Sequence, residues 1–123
     1  MSDELVTINA NIGALSNTTR PIFKVPTNLG GLTIIGGACI QGGAGTTQLY
    51  IVEMDANGTA IGGTLGSFGT VYATNVPNAA SLTASRCFVD AGNYIGIKEN
   101  NVGAANTVTI VSLTAVMGKA EAG

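Results

Sequence analysis

Residues Thr46 to Thr64 read TTQLYIVEMDANGTAIGGT, and this stretch decides the fold. Gln48 to Met54 is rich in β-branched and aromatic residues, which favour a pleated, half-buried strand. Asp55-Ala56-Asn57-Gly58-Thr59 follows, and Asn-Gly between two such runs is a strong hairpin signal because both residues tolerate the positive φ of a tight turn. Asp55 is the residue type that accepts local hydrogen bonds from its own turn. In the returning run, Gly62-Gly63 marks a bend or a close neighbour. Continued to Thr70, the segment MDANGTAIGGTLGSFGT holds one charged residue, five glycines, no histidine and no cysteine. Its job is geometric: Asp55, Asn57 and Gly58 are structural turn residues.

The same punctuation runs outward in both directions. Candidate strands are Leu5 to Ile8, Pro21 to Val25, Leu32 to Ile40, Thr47 to Met54, Ala60 to Leu65, Thr70 to Thr74, Leu82 to Val89, Tyr94 to Lys98 and Thr107 to Met117. Short strands with turn signals about every 8–12 residues predict an all-β antiparallel sandwich or barrel. No window carries a capped 3.6-residue apolar stripe, so little helix is expected. The length predicts one domain over 1–123, with a short N-terminal arm over about 1–20 and a polar tail over 118–123. Several strands are apolar on both faces: Leu49 and Ile51 share one side with Glu53, while Tyr50, Val52 and Met54 take the other. Such strands imply that both sheet faces are covered or that the outer one meets a neighbour. In the last strand the apolar parity changes from Val108 and Ile110 to Val111, Leu113, Ala115 and Met117, which predicts a bulge near Ile110-Val111.

Composition narrows the classes of function. The chain is 46% hydrophobic with a net charge of −2, a balance that folds rather than stays disordered. Charged residues make up 10% of it, against about 25% in a typical soluble protein. A small domain with so little charge has to face its surroundings with Gly, Ala, Thr, Asn and aliphatic groups, and that surface favours contact with other protein. Arg20, Lys24, Arg86, Lys98 and Lys119 are scattered, so no nucleic-acid partner is expected. No run reaches about 18 apolar residues, so no membrane partner is expected either. The opening MSDELVTINAN has acids where a signal sequence has bases, which predicts synthesis in the cytoplasm without secretion. Asn17-Thr18-Thr19 and Asn57-Gly58-Thr59 then match the glycosylation pattern by chance. Cys39 and Cys87 read as separate buried thiols.

The chemistry-bearing residues form no site motif. Without histidine there is no Ser-His-Asp or Cys-His arrangement. The seven acids Asp3, Glu4, Glu53, Asp55, Asp90, Glu99 and Glu121 are dispersed, and only a meeting in space, such as Glu53 with Glu99, offers a glycosidase pair. Counting twelve positions from Asp55 reaches Gly66 where a calcium loop needs Glu, which leaves only a looser site using Asp55 and Asp90. Gly42-Gly43-Ala44-Gly45-Thr46-Thr47 lacks the lysine of a phosphate loop. No catalytic residue, metal ligand or cofactor site is therefore assigned. Phe23, Tyr50, Phe68, Tyr72, Phe88 and Tyr94 read mainly as core, with a sugar-stacking platform as the alternative.

Three segments, TTQLYIVEMDANGTAIGGT, DAGNYIGIKENN and NTVTIVSLTAVMG, together resemble the small jelly-roll or β-sandwich decoration and cement proteins of tailed-bacteriophage heads, and the jelly-roll modules of phage fibres. The resemblance spans roughly Pro21 to Met117. It implies a jelly-roll-like sandwich of about eight strands and a non-enzymatic virion protein on the capsid surface. It also implies a protein that is often a homotrimer and whose partners are the major capsid protein and its own copies. The alternative that the resemblance leaves open is a carbohydrate- or receptor-binding module of a fibre. It fixes no contact residues.

Overall fold

The computed structural model describes residues 5–13, 18–27, 30–43, 46–72, 77–83, 87–100 and 106–117. Ten strands and no helix lie among them: β1 (Leu5–Asn11), β2 (Thr19–Lys24), β3 (Leu32–Gly43), β4 (Thr46–Met54), β5 (Ala60–Tyr72), β6 (Asn78–Ala79), β7 (Ser81–Leu82), β8 (Phe88–Val89), β9 (Tyr94–Asn100) and β10 (Asn106–Met117). The front sheet runs β1-β10-β3, with the two-residue strands β6 and β8 sharing the far edge of β3. The back sheet runs β2-β9-β4-β5-β7. Every pairing is antiparallel. Counted from one edge, β1 and β2, β10 and β9, and β3 and β4 occupy matching places, so the chain alternates between sheets in the manner of a jelly roll. With β6 and β8 taken as one broken strand opposite β5, the sandwich has eight main places and one short extra strand, β7.

Alternation builds the core between the sheets. The front sheet contributes Ile8, Leu32, Ile34, Cys39, Val111, Leu113 and Ala115, and the back sheet Leu49, Ile51, Leu65, Phe68, Ile95 and Ile97, all buried. At about 1.5–3 kcal/mol for each fully buried large aliphatic side chain, this layer dominates the stabilisation. Register shifts adjust the strands to it. Between Ile51 and Glu53, β4 advances two residues while β5 runs from Gly66 back to Ile61, and Gly62 within that excess has φ +67°. The excess bulges outward at Gly62, Gly63 and Thr64 and returns Leu65 fully to the core.

Several sequence expectations need correction. Ala60 to Leu65 and Thr70 to Thr74 were expected as two strands, but Ala60–Tyr72 is one, since Gly69 at φ +68° lets the ladder continue past the glycine-rich middle. Leu82 to Val89 is not one strand: Ser81–Leu82 pairs with β5 in the back sheet and Phe88–Val89 with β3 in the front one. No bulge sits at Ile110-Val111. There Ile110 simply faces outward, the inner parity is Thr109, Val111, Leu113 and Ala115, and the register shifts fall between Asn106 and Thr109 and between Thr114 and Ala115. Within the stretch expected as an arm, residues 5–11 form the edge strand β1. The tail over 118–123 lies outside the described residues.

Candidate interaction surface

The outer face of the front sheet follows from the β1–β10–β3 register. Leu5, Thr7, Asn9 and Asn11 pair with Val116, Thr114, Ser112 and Ile110, and the last two with Ala38 and Ile40. All these side chains point away from the core. At the shift between Thr114 and Ala115, β3 has Ile35 as an extra residue and pushes it outward. Leu5, Ile35 and Ile110 are 66%, 50% and 45% exposed, the large apolar side chains the fold leaves most open among the described residues. Ile40, Ile110, Ala38 and Pro77 line a shallow apolar groove on this face.

No described residue on that face is charged. The described charges lie elsewhere, and the ladders say why. Lys98 pairs outward with Tyr50 and Thr19, and Lys24 with Tyr94, on the outer face of the back sheet. The Lys24 ammonium stands 5.9 Å from the Tyr94 ring centre, within reach of a cation–π contact. Asp55 and Asp90 sit at the turns, and Arg20, Glu53 and Glu99 point inward. The back sheet also covers its own outward apolar groups: Val52 and Met54 lie at the level of Gly96 and Tyr94 yet are 5% and 2% exposed. Met54 fills the space above Gly96 that a side chain would take.

The two inward glutamates do not form a catalytic pair. Glu53 stands opposite Ile95 and Glu99 opposite Leu49, so four residues of strand, about 13 Å, separate them. Glycosidase carboxylates stand about 5–9.5 Å apart. Each glutamate is held structurally. Glu53 accepts hydrogen bonds from the Asp90 backbone N–H at 3.1 Å and from Asn93 Nδ2 at 2.9 Å. Glu99 receives a two-pronged contact from Arg20, Nε to Oε2 at 2.6 Å and Nη2 to Oε1 at 3.0 Å, while Arg20 Nη1 donates to the Ile12 carbonyl at 3.0 Å. At the same end of the sandwich, where β3 passes to β4, Gln41, Thr47 and Thr109 are buried with side-chain polar atoms that have no hydrogen-bond partner. This polar layer escapes sequence reading, since Gln41 and Thr109 meet only through the β3–β10 register.

The Asp55 turn is closed by its own atoms. Gly58 N–H donates to the Asp55 carbonyl at 2.9 Å, so the chain reverses over Ala56 and Asn57, and Gly58 follows at φ +82°. Asp55 Oδ1 accepts from the N–H groups of Asn57 at 2.9 Å and Thr59 at 3.0 Å. That carboxylate oxygen thus serves the turn, and no group of three metal-ligating residues occurs among the described residues. Of the aromatics, Phe68 is in the core, Phe23 is packed against it, and Phe88 pairs with Thr33 on the rim of the front face. Tyr50 and Tyr94 share the outer back face, but Tyr94 stands opposite Met54, four residues from Tyr50, so the two rings do not make one platform. The Tyr72 side chain lies outside the described residues. Cys39 is buried, its thiol pushed up to about 12 by desolvation, Cys87 is half-buried, and both are free.

No protein-family model matches the sequence, and no curated protein matches it. Solved structures do match the fold. A chain of the acidic stable capsid structure of Helicobacter pylori bacteriophage KHP30 aligns with a TM-score of 0.60 at 11% identity, over 96% of this chain and 95% of that one. A chain of the cyanophage Pam1 capsid asymmetric unit aligns with a TM-score of 0.53 at 12% identity, over 93% and 85%. A chain of Bacillus endospore appendages aligns more loosely, with a TM-score of 0.47 at 18% identity, over 97% and 93%. The jelly roll seen here is therefore a fold that also occurs in phage capsids.

Proposed function

We propose that this chain is a non-enzymatic virion structural protein, a decoration or cement protein that stabilises a phage head through contacts with the major capsid protein and with copies of itself, as a homotrimer on the capsid surface. The observation that carries the reading is the outer face of the front sheet, on which no described residue is charged and Leu5, Ile35 and Ile110 are uncovered, on a fold shared with phage capsid chains. Depletion of charge at the centre of a contact patch is the compositional mark of a protein interface. The interior acids are consumed by Asn93, Asp90 and Arg20, which leaves the surface rather than a cleft as the working part.

Co-sedimentation tests the proposal. Purified protein mixed with heads from which it has been removed should pellet with them, and cryo-electron microscopy should show the front sheet against shell or neighbouring subunit. A protein that stays in the supernatant, or one bound through the back sheet, overturns the assignment.

A further inference from the structure

The two edge strands on the β1/β2 side of the sandwich differ in how they are guarded. β2, TRPIFK, carries Pro21, which has no N–H to offer, ends in Lys24 and has a register shift between Pro21 and Phe23. Proline, lysine and bulges are the devices by which edge strands avoid pairing with other chains. β1, LVTINAN, has none of them: no charge, no proline, and an unbroken register from Leu5 to Asn11 against β10. No described strand pairs with its other side.

The direction of its free groups can be worked out. Ile12 donates to the Thr109 carbonyl, and along this register hydrogen-bonded pairs recur at every second residue. Val6, Ile8 and Ala10 therefore turn their N–H and C=O groups to β10. Leu5, Thr7, Asn9 and Asn11 turn theirs outward, and their side chains are the exposed ones.

We infer that β1 is a self-pairing edge: β1 of a second copy adds antiparallel to it about a two-fold axis at Ile8. In that register Thr7 faces Asn9 of the other copy and Leu5 faces Asn11, so the outward N–H and C=O groups of all four residues find partners. Ile8 meets its own copy on the inner side. The occupant is a second copy because the strand is its own complement: the pairing sets no charge against a like charge, puts polar Thr7 opposite polar Asn9, and brings the exposed Leu5 beside Asn11 of the other copy. It is also continuous with the front face, on which no described residue is charged and which the contact would extend across both subunits. Such a contact is isologous. It joins single chains in pairs, or trimers in pairs where the subunit already belongs to a trimer, and it stands independently of whether a capsid shell is the other partner.

Charge exchange tests it. Thr7→Lys with Asn9→Lys places lysines opposite one another at two symmetric points, and sedimentation should show the even-numbered species weakened by about tenfold or more. Thr7→Lys with Asn9→Asp sets Lys opposite Asp at the same points and should restore association to near the native level. An unchanged double-lysine variant, or a Lys/Asp variant as weak as the double lysine, overturns the inference. A native protein whose largest species is an isolated monomer or trimer overturns it too. Both positions are exposed, so the variants should melt with the native protein. A measurement on the unaltered chain covers the case where they do not: residue-resolved hydrogen exchange should show amides of Thr7 and Asn9 gaining protection with concentration, while those of Ile8 and Ala10 are protected throughout. Thr7 and Asn9 amides that exchange equally fast at every concentration refute the pairing. Retained pelleting of the double-lysine variant with phage heads would separate this edge from the shell contact.

Discussion

The outer face of the back sheet covers its apolar residues with its own side chains, and the outer face of the front sheet does not. In the back sheet Met54 folds over Gly96, and Lys24 and Lys98 with their tyrosine neighbours give the surface polar heads. In the front sheet Ile35 and Ile110 stand open among Thr, Ser, Asn and Ala. Both faces are built on the same alternation, so strand pattern alone does not cause the difference. It comes from one glycine that admits a methionine on one side, and from a bulge that expels an isoleucine on the other.

The largest stability effect expected is inside the back sheet. Arg20→Ala leaves Glu99, whose side chain is fully buried, without its cation. The loss should be about 3 kcal/mol, the low end for a buried pair because Arg20 itself is 31% exposed, and urea unfolding measures it. If the loss is near zero, charge in the back sheet is ornamental and the contrast weakens. Next, Ile35→Lys with Ile110→Lys should reduce binding to phage heads by about thirtyfold while shifting stability by no more than about 0.5 kcal/mol. The matched change on the other face, Gln48→Lys with Tyr50→Lys, should leave binding as it was, and equal losses from both pairs would erase the distinction between faces.

Gly58→Val forces a β-branched residue into φ +82°, at about 1–2 kcal/mol in thermal melting. Asp55→Ala, which removes two turn hydrogen bonds, should lower stability by about 1 kcal/mol or less and leave head binding intact. A loss of binding would make the turn part of the contact surface. The smallest effect concerns reactivity. With its thiol raised to about 12, Cys39 should resist a thiol reagent at about pH 8 until the chain unfolds, while half-buried Cys87 is modified first. Mass spectrometry of partly labelled protein reads the order.

Most of the β character was legible, and the hairpin at Asp55 most of all, because Asn57-Gly58 and the flanking strand residues are local signals. The two-faced apolar pattern of β4 was legible as well, yet its meaning was not. Val52 and Met54 point outward but are hidden, and for Met54 the reason is Gly96, forty-odd positions away, which leaves room for it. The open face lies instead on β3 and β10, where Ile35 is turned out by a register shift beside Gly36-Gly37, a pair that marks a bulge in a strand without telling which side chain it expels. Glu53 and Glu99 were visible as candidates, but only the β4–β9 register shows them at opposite ends of the sandwich. The shortest strands, Asn78–Ala79, Ser81–Leu82 and Phe88–Val89, carry too few residues to display a period.

The pairing of β10 between β1 and β3 also sets a timetable. Leu5 finds Val116, and Leu32 finds Met117, so β1 lacks its described front-sheet neighbour, and β3 the one along this edge, until the ribosome has made β10; the far edge of β3 meets only the two-residue strands β6 and β8. Closing so long a loop is entropically slow, and folds dominated by such distant pairings form in milliseconds to seconds rather than microseconds. Throughout synthesis the run TIIGGACI in β3 waits with one side unsatisfied and no charge to discourage other chains. The yield of correctly folded protein should therefore depend on how fast the nascent chain is completed and how crowded its neighbours are, a dependence measurable by pausing translation before Asn106.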